Sequence, residues 1–374
     1  MISSNPANFG WRRRWIAWRN GLLSSPRFQR FAGKFPLTRP IARRRARAIF
    51  DLVAGFTYSQ ILHACIETKL LDLLARGPLD TATIAGRIDL PESSAWRLLR
   101  AAAALDLVEP VGPDWALGSD GAALLGNAGI AEMVAHHRLL YADLADPVAL
   151  LRRGGGGGAL SGLWHYAGSA GTGDDAAVAA YSALMAASQP LVAEQSVDSY
   201  PFARHRKLLD VGGGEGVFLT AMAERVPTLQ LALFDFPAVA DRARARLHSA
   251  GLTARTTIFG GSFLTDPLPT GYDIITLIRV LHDHDDEPAF ALLRAIHTAL
   301  PSGGRLFISE PMAQTPGAAR AGDAYFGIYL LAMGSGRPRT PHEIRALLTA
   351  AGFSRSRLLR TDIPLTTRAI IATR

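Results

Sequence analysis

The chain has 374 residues, room for two domains, and is 48% hydrophobic with a net charge of +8. Its single cysteine, Cys65, excludes an intramolecular disulfide framework and suits a reducing compartment; no uninterrupted apolar run of roughly 18 residues is present to cross a bilayer. The charge is concentrated: residues 1–50 hold twelve Arg or Lys and no Asp or Glu, whereas the other 28 basic and 32 acidic side chains leave the body slightly acidic.

The basic arm, residues 1–47, carries Trp11, Trp15, Trp18 and Leu22 at helical spacing, with Phe28, Phe31 and Phe35 interleaved with Arg27, Arg30 and Lys34. It has no continuous apolar stretch of the signal-peptide kind. Aromatics on one face, ringed by arginines, suit a helix lying in an anionic headgroup layer, so residues 11–35 are candidates for peripheral membrane contact. The same stripe could pack on the body or on a second subunit, and basic patches with aromatics also hold single-stranded nucleic acid. The location this implies is cytoplasmic, at most peripheral on the cytoplasmic face of a membrane.

Residues 48–150 read as a mainly helical domain. A long helix is expected from Ala48 to about Leu74, with Cys65 packed inside it; helical Thr83–Ile88 and Glu92–Leu105 follow. Leu107–Val111 and Trp115–Leu117 flank Gly112-Pro113-Asp114 as a two-stranded wing. Helix, helix, wing is the winged-helix pattern that also serves DNA binding. The second helix, however, presents Trp96, Leu98, Leu99 and a run of alanines, with Arg97 and Arg100 its only cations. That composition suits packing and dimerisation, and nucleic acid is not an expected partner. Residues 151–200 form a connector: Arg152-Arg153 and five glycines read as a hinge or loop, and Leu163–Tyr166 and Asp174–Tyr200 as a segment containing a helix.

From residue 201 to 374 strand and helix alternate. Strands are expected at 229–234, 256–259, 273–278, 305–309, 357–361 and 368–373, and helices at 217–225, 238–250, 287–300 and 341–351. This is an α/β, Rossmann-like, doubly wound sheet, whose ligands sit beyond the carboxyl ends of the strands. At its first strand, Leu208-Leu209-Asp210-Val211 opens into Gly212, Gly214 and Gly216. A dinucleotide fold would read G-x-G-x-x-G, which places its last glycine at Val217. The observed G-x-G-x-G, with an acid two residues ahead, points to a different ligand, or to a turn that binds nothing. Asp235 ends the second strand 19 residues after Gly216, where an acid can accept from ribose hydroxyls. Ser262 and Phe263 follow the third strand, where an aromatic can cover a purine.

Leu281-His282-Asp283-His284-Asp285-Asp286-Glu287 follows the fourth strand. Consecutive side chains diverge, which disfavours a metal site. Asp285, Asp286 and Glu287 suit a helix N-terminus, and His282 suits a general base. An alcohol whose pKa is near that of water, ~15.7, keeps its proton until attack, and neutral imidazole can take it then. Glu310, ending the next strand, could orient the ring as a triad carboxylate does. No metal is needed for this chemistry.

Leu-Leu-Asp-Val-Gly-Gly-Gly-Glu-Gly, Arg-Val-Leu-His-Asp and Phe-Ile-Ser-Glu-Pro together resemble the O-methyltransferases dependent on S-adenosylmethionine (SAM) that carry an N-terminal winged-helix dimerisation domain. The resemblance runs from about residue 48 to the end. It implies SAM as cofactor, a homodimer, His282 as base and Glu310 as its supporting acid. The implied cofactor contacts are Asp210, Gly212, Gly214, Gly216, Asp235, Ser262, Phe263 and Arg279, and Met185 would line the acceptor pocket. Three positions depart from the family: Ser262 stands where Asp is usual, His284 where Trp is common, and Pro338 where many members have a second Glu. Ser25–Arg30, Phe35–Arg47 and Phe50-Asp51-Leu52 are most similar to the bacterial hydroxycarotenoid O-methyltransferases. Those enzymes act on the 1-hydroxyl of acyclic carotenoids such as demethylspheroidene and hydroxyneurosporene, and the implied substrate is therefore a lipophilic small molecule.

Overall fold

A computed structural model describes residues 6–164 and 185–374. Of the expected connector, residues 165–184 lie outside the described residues. The chain forms two compact units, Met1–Asp120 and Gly121–Arg374.

In the first unit, helices run Pro6–Ser24, Pro26–Lys34 and Arg39–Glu67. Ser25 starts the second of these, its hydroxyl accepting from the Phe28 N–H. Pro26 and Pro40 occupy first-turn positions, where a fixed φ helps and no N–H is missed. The long helix expected to span 48–74 instead begins at Arg39 and stops at Glu67. Lys69 takes a left-handed φ of 55° and redirects the chain into a separate turn, Leu70–Leu74. Helices Thr81–Arg87 and Glu92–Ala103 follow, the first capped by the Asp80 carboxylate on the Thr83 N–H. Strands β1 (Leu79–Asp80), β2 (Val108–Val111) and β3 (Asp114–Leu117) make an antiparallel sheet in the order β1-β3-β2, the expected wing. Ala95, Leu99 and Ala102 bury one face of Glu92–Ala103, and Cys65 is inside with them, its thiol pushed up to about 12 by burial.

The second unit is built on a seven-stranded sheet. Its strands are β4 (Lys207–Val211), β5 (Gln230–Asp235), β6 (Thr256–Gly260), β7 (Ile274–Ile278), β8 (Arg305–Glu310), β9 (Arg355–Leu358) and β10 (Arg368–Thr373), in the order β6-β5-β4-β7-β8-β10-β9. The first five run parallel and β10 is antiparallel to both neighbours. β7 is buried along its whole length, as a strand covered on both faces must be. One core gathers Leu209, Ile275, Leu292, Ile296 and Ile344; the other gathers Leu208, Phe218, Met222, Leu247 and Phe307. Because β5 and β7 lie on opposite sides of β4, the winding reverses there and opens a crevice beyond the strand ends.

The two units divide at residue 120, ahead of the boundary expected at the glycine run. Helices Ala128–Asp143, Pro147–Arg152 and Ala159–Trp164 belong to the second unit, where Leu140, Leu150 and Leu160 pack with Tyr329, Leu330 and Met333. Nor is the glycine run a loose hinge. The Gly156 N–H donates to the Leu331 carbonyl at 2.9 Å, and a Cβ on Gly158 would collide with the Asp143 carboxylate. Asp143 in turn accepts from the N–H groups of Ala159 (2.7 Å) and Leu160 (2.9 Å), capping the helix that follows. Polyglycine is used here for close approach rather than for freedom.

Candidate active site

A cleft opens at the switch point, lined among others by Gly212, Gly214, Asp235, Ser262, Phe263, Arg279, His284 and Met185. Eleven residues were singled out from sequence. Seven line this cleft together: Met185, Gly212, Gly214, Asp235, Ser262, Phe263 and Arg279. Asp210 lies behind it. Gly216 does not line it either, but starts the helix Val217–Arg225 with a φ of 82° and faces Leu247.

The glycines are required by geometry. Gly212 has φ 69°, and a Cβ there would sit 2.7 Å from a Val280 methyl. Asp235 accepts from the Gly214 N–H at 2.8 Å and from the Phe236 N–H at 2.7 Å, which ties the second strand's end to the glycine turn. Asp210 accepts from the Thr276 hydroxyl at 2.6 Å through one oxygen; its other oxygen is buried with no hydrogen-bond partner among the described residues. Burial pushes the Asp210 carboxyl up to about 7, the nearby Asp235 charge adding to the shift and the Thr276 bond opposing it. Burial likewise pushes Asp235 up to about 6 against its two backbone hydrogen bonds. One buried carboxyl with an unpartnered oxygen and one half-buried at the cleft wall, both resisting ionisation, are a site waiting for positive charge and donors. SAM brings both, so the residues fit the cofactor.

On the cleft wall, Phe263 and His284 meet edge to face at 5.1 Å. Burial lowers the His284 pKa, which favours a neutral ring. Ser262 takes the place of the usual acid, yet Asp266 lies close, accepting from the Ser262 N–H at 2.8 Å. Arg279 has an unusual φ of 58° for a side-chain-bearing residue, and its guanidinium reaches the Ser188 hydroxyl at 3.1 Å and the Met185 sulfur at 3.9 Å.

His282 and Glu310 are both buried, at 3% and 0% exposure. Glu310 accepts from the backbone N–H of His282 at 3.1 Å, while its carboxylate stands 3.8 Å from ring Nδ1. The shorter ring contact is to a residue that the sequence argument passed over: Asp283 Oδ1 lies 3.0 Å from Nε2. Burial works against a charged ring, but the Asp283 charge and hydrogen bond and the Glu310 charge together outweigh it and raise the His282 pKa. Burial raises the Glu310 pKa as well. Phe326 tilts over the imidazole at 6.0 Å. It ends a seven-residue π-helix, Arg320–Phe326, the kind of irregularity that gathers at functional sites. Asp285 stands at the N-cap of the helix Asp286–Ala299, with Asp286 and Glu287 in its first turn as expected, but its side chain accepts from the Gly336 N–H at 2.9 Å rather than from the helix's own N–H groups. Among the described residues no group of three or more His, Cys, Asp or Glu is placed to hold a metal ion.

A doubly wound sheet, a glycine turn with acids at the ends of its first two strands, and a carboxylate-flanked histidine after the fourth define a Rossmann-like methyltransferase. The O-methyltransferase domain family matches residues 141–354 and the O-methyltransferase dimerisation domain matches residues 50–135. The chain belongs to this family, and it is a SAM-dependent O-methyltransferase. It is 42% identical over 355 residues to demethylspheroidene O-methyltransferase of Cereibacter sphaeroides, covering 94% of this chain and 93% of that one. It is also 42% identical over 354 residues to the enzyme of the same name from Rhodobacter capsulatus, covering 94% and 88%. Among solved structures, mitomycin 7-O-methyltransferase superposes with a TM-score of 0.73 at 25% identity, over 90% of this chain and 100% of that one.

Proposed function

We propose that this enzyme methylates the tertiary 1-hydroxyl of an acyclic hydroxycarotenoid such as demethylspheroidene, with His282 as the general base. The observation that carries the reading is the likeness to the two demethylspheroidene enzymes along almost the whole chain. It is supported by an imidazole buried between Asp283 and Glu310 at the ends of the parallel strands. Bound SAM supplies an electrophilic methyl carbon. The protein's task is to strip the hydroxyl proton as the oxygen attacks. In our reading the acceptor hydroxyl displaces Asp283 from Nε2, and Glu310 closes on Nδ1 and stabilises the imidazolium. Contacts of this kind are often long before substrate enters. Asp210, the turn at Gly212 and Gly214, Asp235, Phe263 and Arg279 hold the cofactor, with Gly216 shaping the turn from behind, and Met185 bounds the acceptor side.

The remaining features suit a lipid-borne acceptor. The chain acts as a homodimer through residues 50–135, and the exposed Phe50, Leu52, Val53 and Phe56 are its subunit-facing side chains. They sit on Arg39–Glu67, a helix long and apolar enough by composition to cross a membrane; dimer burial accounts for that surface without a span. Residues 11–35 face the cytoplasmic surface of the membrane, where Trp11 and Trp18 are 68% and 65% exposed and Arg19 lies over the Trp15 ring. The test is incubation of purified enzyme with labelled SAM and a 1-hydroxycarotenoid, read by mass. Product heavier by one methylene supports the reading, and transfer to a different lipophilic hydroxyl in place of this one overturns the acceptor. His282→Ala should keep SAM binding and lose turnover by ~100-fold or more; a fully active variant removes the base.

A further inference from the structure

Arg339 is fully buried, the largest such side chain in the described structure. Its guanidinium is spent on one short stretch of backbone. Nη1 donates to the Leu281 carbonyl at 2.8 Å, Nη2 to the His284 carbonyl at 2.7 Å, and Nε and Nη2 to Asp286 at 2.9 and 2.8 Å. These acceptors bracket His282 and Asp283 on both sides. The loop before Arg339 completes the grip. The Arg337 N–H donates to the His282 carbonyl at 2.9 Å, and the Ser335 hydroxyl to the Asp283 carbonyl, also at 2.9 Å. Gly336, at φ 78°, lies so close to the His282 carbonyl and the Asp283 backbone that any Cβ would strike them. On the far side Glu310 holds the His282 N–H. The segment is therefore fixed by one buried cation and one buried anion.

Taking a guanidinium out of water is costly unless its donors are met, and here they are met by the stretch that carries the imidazole. A lysine has a single compact ammonium and cannot span two carbonyls and a carboxylate in one plane. We infer that Arg339 is a positioning residue for the methyl-transfer reaction: its planar fork sets the backbone of residues 281–286, and thereby where the imidazole of His282 and the carboxylate of Asp283 stand relative to the cleft. The inference rests on His282 being the base.

The test uses Arg339→Lys in the full-length enzyme, with Arg339→Ala as the second variant. Three quantities are read: SAM affinity by calorimetry, turnover at saturating SAM, and hydrogen exchange of the amides of residues 281–286. In Arg339→Lys we expect SAM affinity within about threefold of wild type and kcat lower by about 100-fold, the effect of a reacting group displaced by about 1 Å. Exchange at 281–286 should rise tenfold or more while the sheet stays protected. Arg339→Ala should show the same split, with part of its turnover restored by millimolar guanidinium. Unchanged exchange at 281–286, or wild-type kcat in Arg339→Lys, overturns the inference. So does a fall in SAM affinity that matches the fall in kcat, because that marks general loss of fold. Failure of the base reading is separate: it shows as a fully active His282→Ala, whatever Arg339 does to exchange.

Discussion

SAM binding should release protons. In the free protein burial pushes Asp210 up to about 7 and Asp235 up to about 6. Under the proposed reading, SAM held by Asp210 and Asp235 would bring a cation and hydroxyl donors to these carboxyls, which would favour their charged forms and return their pKa values toward the ordinary range. The sign follows from linkage: a carboxyl whose pKa is raised in the free protein must ionise to bind, so affinity is full above that pKa and falls as pH drops through it. A group of pKa about 6 is only ~9% ionised at pH 5, so Asp235 alone weakens binding about tenfold between pH 7.5 and 5. If Asp210 ionises with it, the loss approaches ~1,000-fold and roughly two protons are released per cofactor at about pH 5. Calorimetry at pH 5.0 to 7.5, in two buffers of different ionisation enthalpy, gives Kd and the proton count. Asp235→Asn should bind more weakly at pH 7.5 and release one proton fewer. A Kd that stays flat over this range, or an Asp235→Asn variant with the full wild-type slope, refutes the argument that buried acids are held back until the cofactor arrives.

Other outcomes follow from the same contacts. Asp283 and Glu310 raise the His282 pKa against the effect of burial, and a base is active only when neutral. Asp283→Asn should therefore move the acid limb of kcat/KM to lower pH; a limb that does not move shows that Asp283 does not govern the ring. Gly158→Ala should destabilise the fold by roughly 2 kcal/mol or more in urea titration, through collision with the Asp143 carboxylate and loss of the cap it provides. Gly162, which has no neighbour within 4 Å of a built Cβ, serves as the control: Ala there should be neutral or stabilising by up to ~1 kcal/mol. Replacing Trp11, Trp15 and Trp18 together by Ala should cut binding to vesicles containing anionic phospholipid at least tenfold, given ~1.5–3 kcal/mol for each aromatic buried. Vesicle binding that survives the triple change, or that ignores lipid charge, removes the arm's proposed role, and binding to single strands in its place would favour nucleic acid.

The sheet was legible because its strands are short apolar runs closed by residues of a different kind: Asp210 and glycine, Asp235, Arg279, Glu310. Helix ends were legible where the stop is local, as at Val217–Arg225. Other ends depend on context. Lys69 breaks the long first-unit helix through backbone conformation alone, and nothing in Glu67-Thr68-Lys69-Leu70 announces it. Five glycines in a row suggest freedom by composition; only the positions of Leu331 and Asp143 show that a Cβ on Gly155 or Gly158 would be in the way.

The active-site neighbourhood divides along the same line. Residues that meet a ligand at strand ends could be named one at a time, since topology places them. Glu310, which holds His282, ends a strand and could be named in the same way; holding residues placed elsewhere could not. Arg339 is 53 positions from Asp286, and in sequence it looks like any arginine before a helix. Asp283 was one member of a His/Asp run and carried no role of its own, yet it makes the closer contact to the imidazole. That bears on Pro338, which stands where the family resemblance led us to expect a second glutamate. Pro338 brings no carboxylate, but the ring has two carboxylates without it, one from its own neighbour in sequence and one from β8. The charge needed to favour imidazolium is present, and Pro338 leaves the adjacent Arg339 to act on the backbone. A Pro338→Glu variant should therefore add a third buried acid with no cation to match it, and SAM turnover should fall at neutral pH rather than rise; higher turnover would show that the two existing carboxylates are too few.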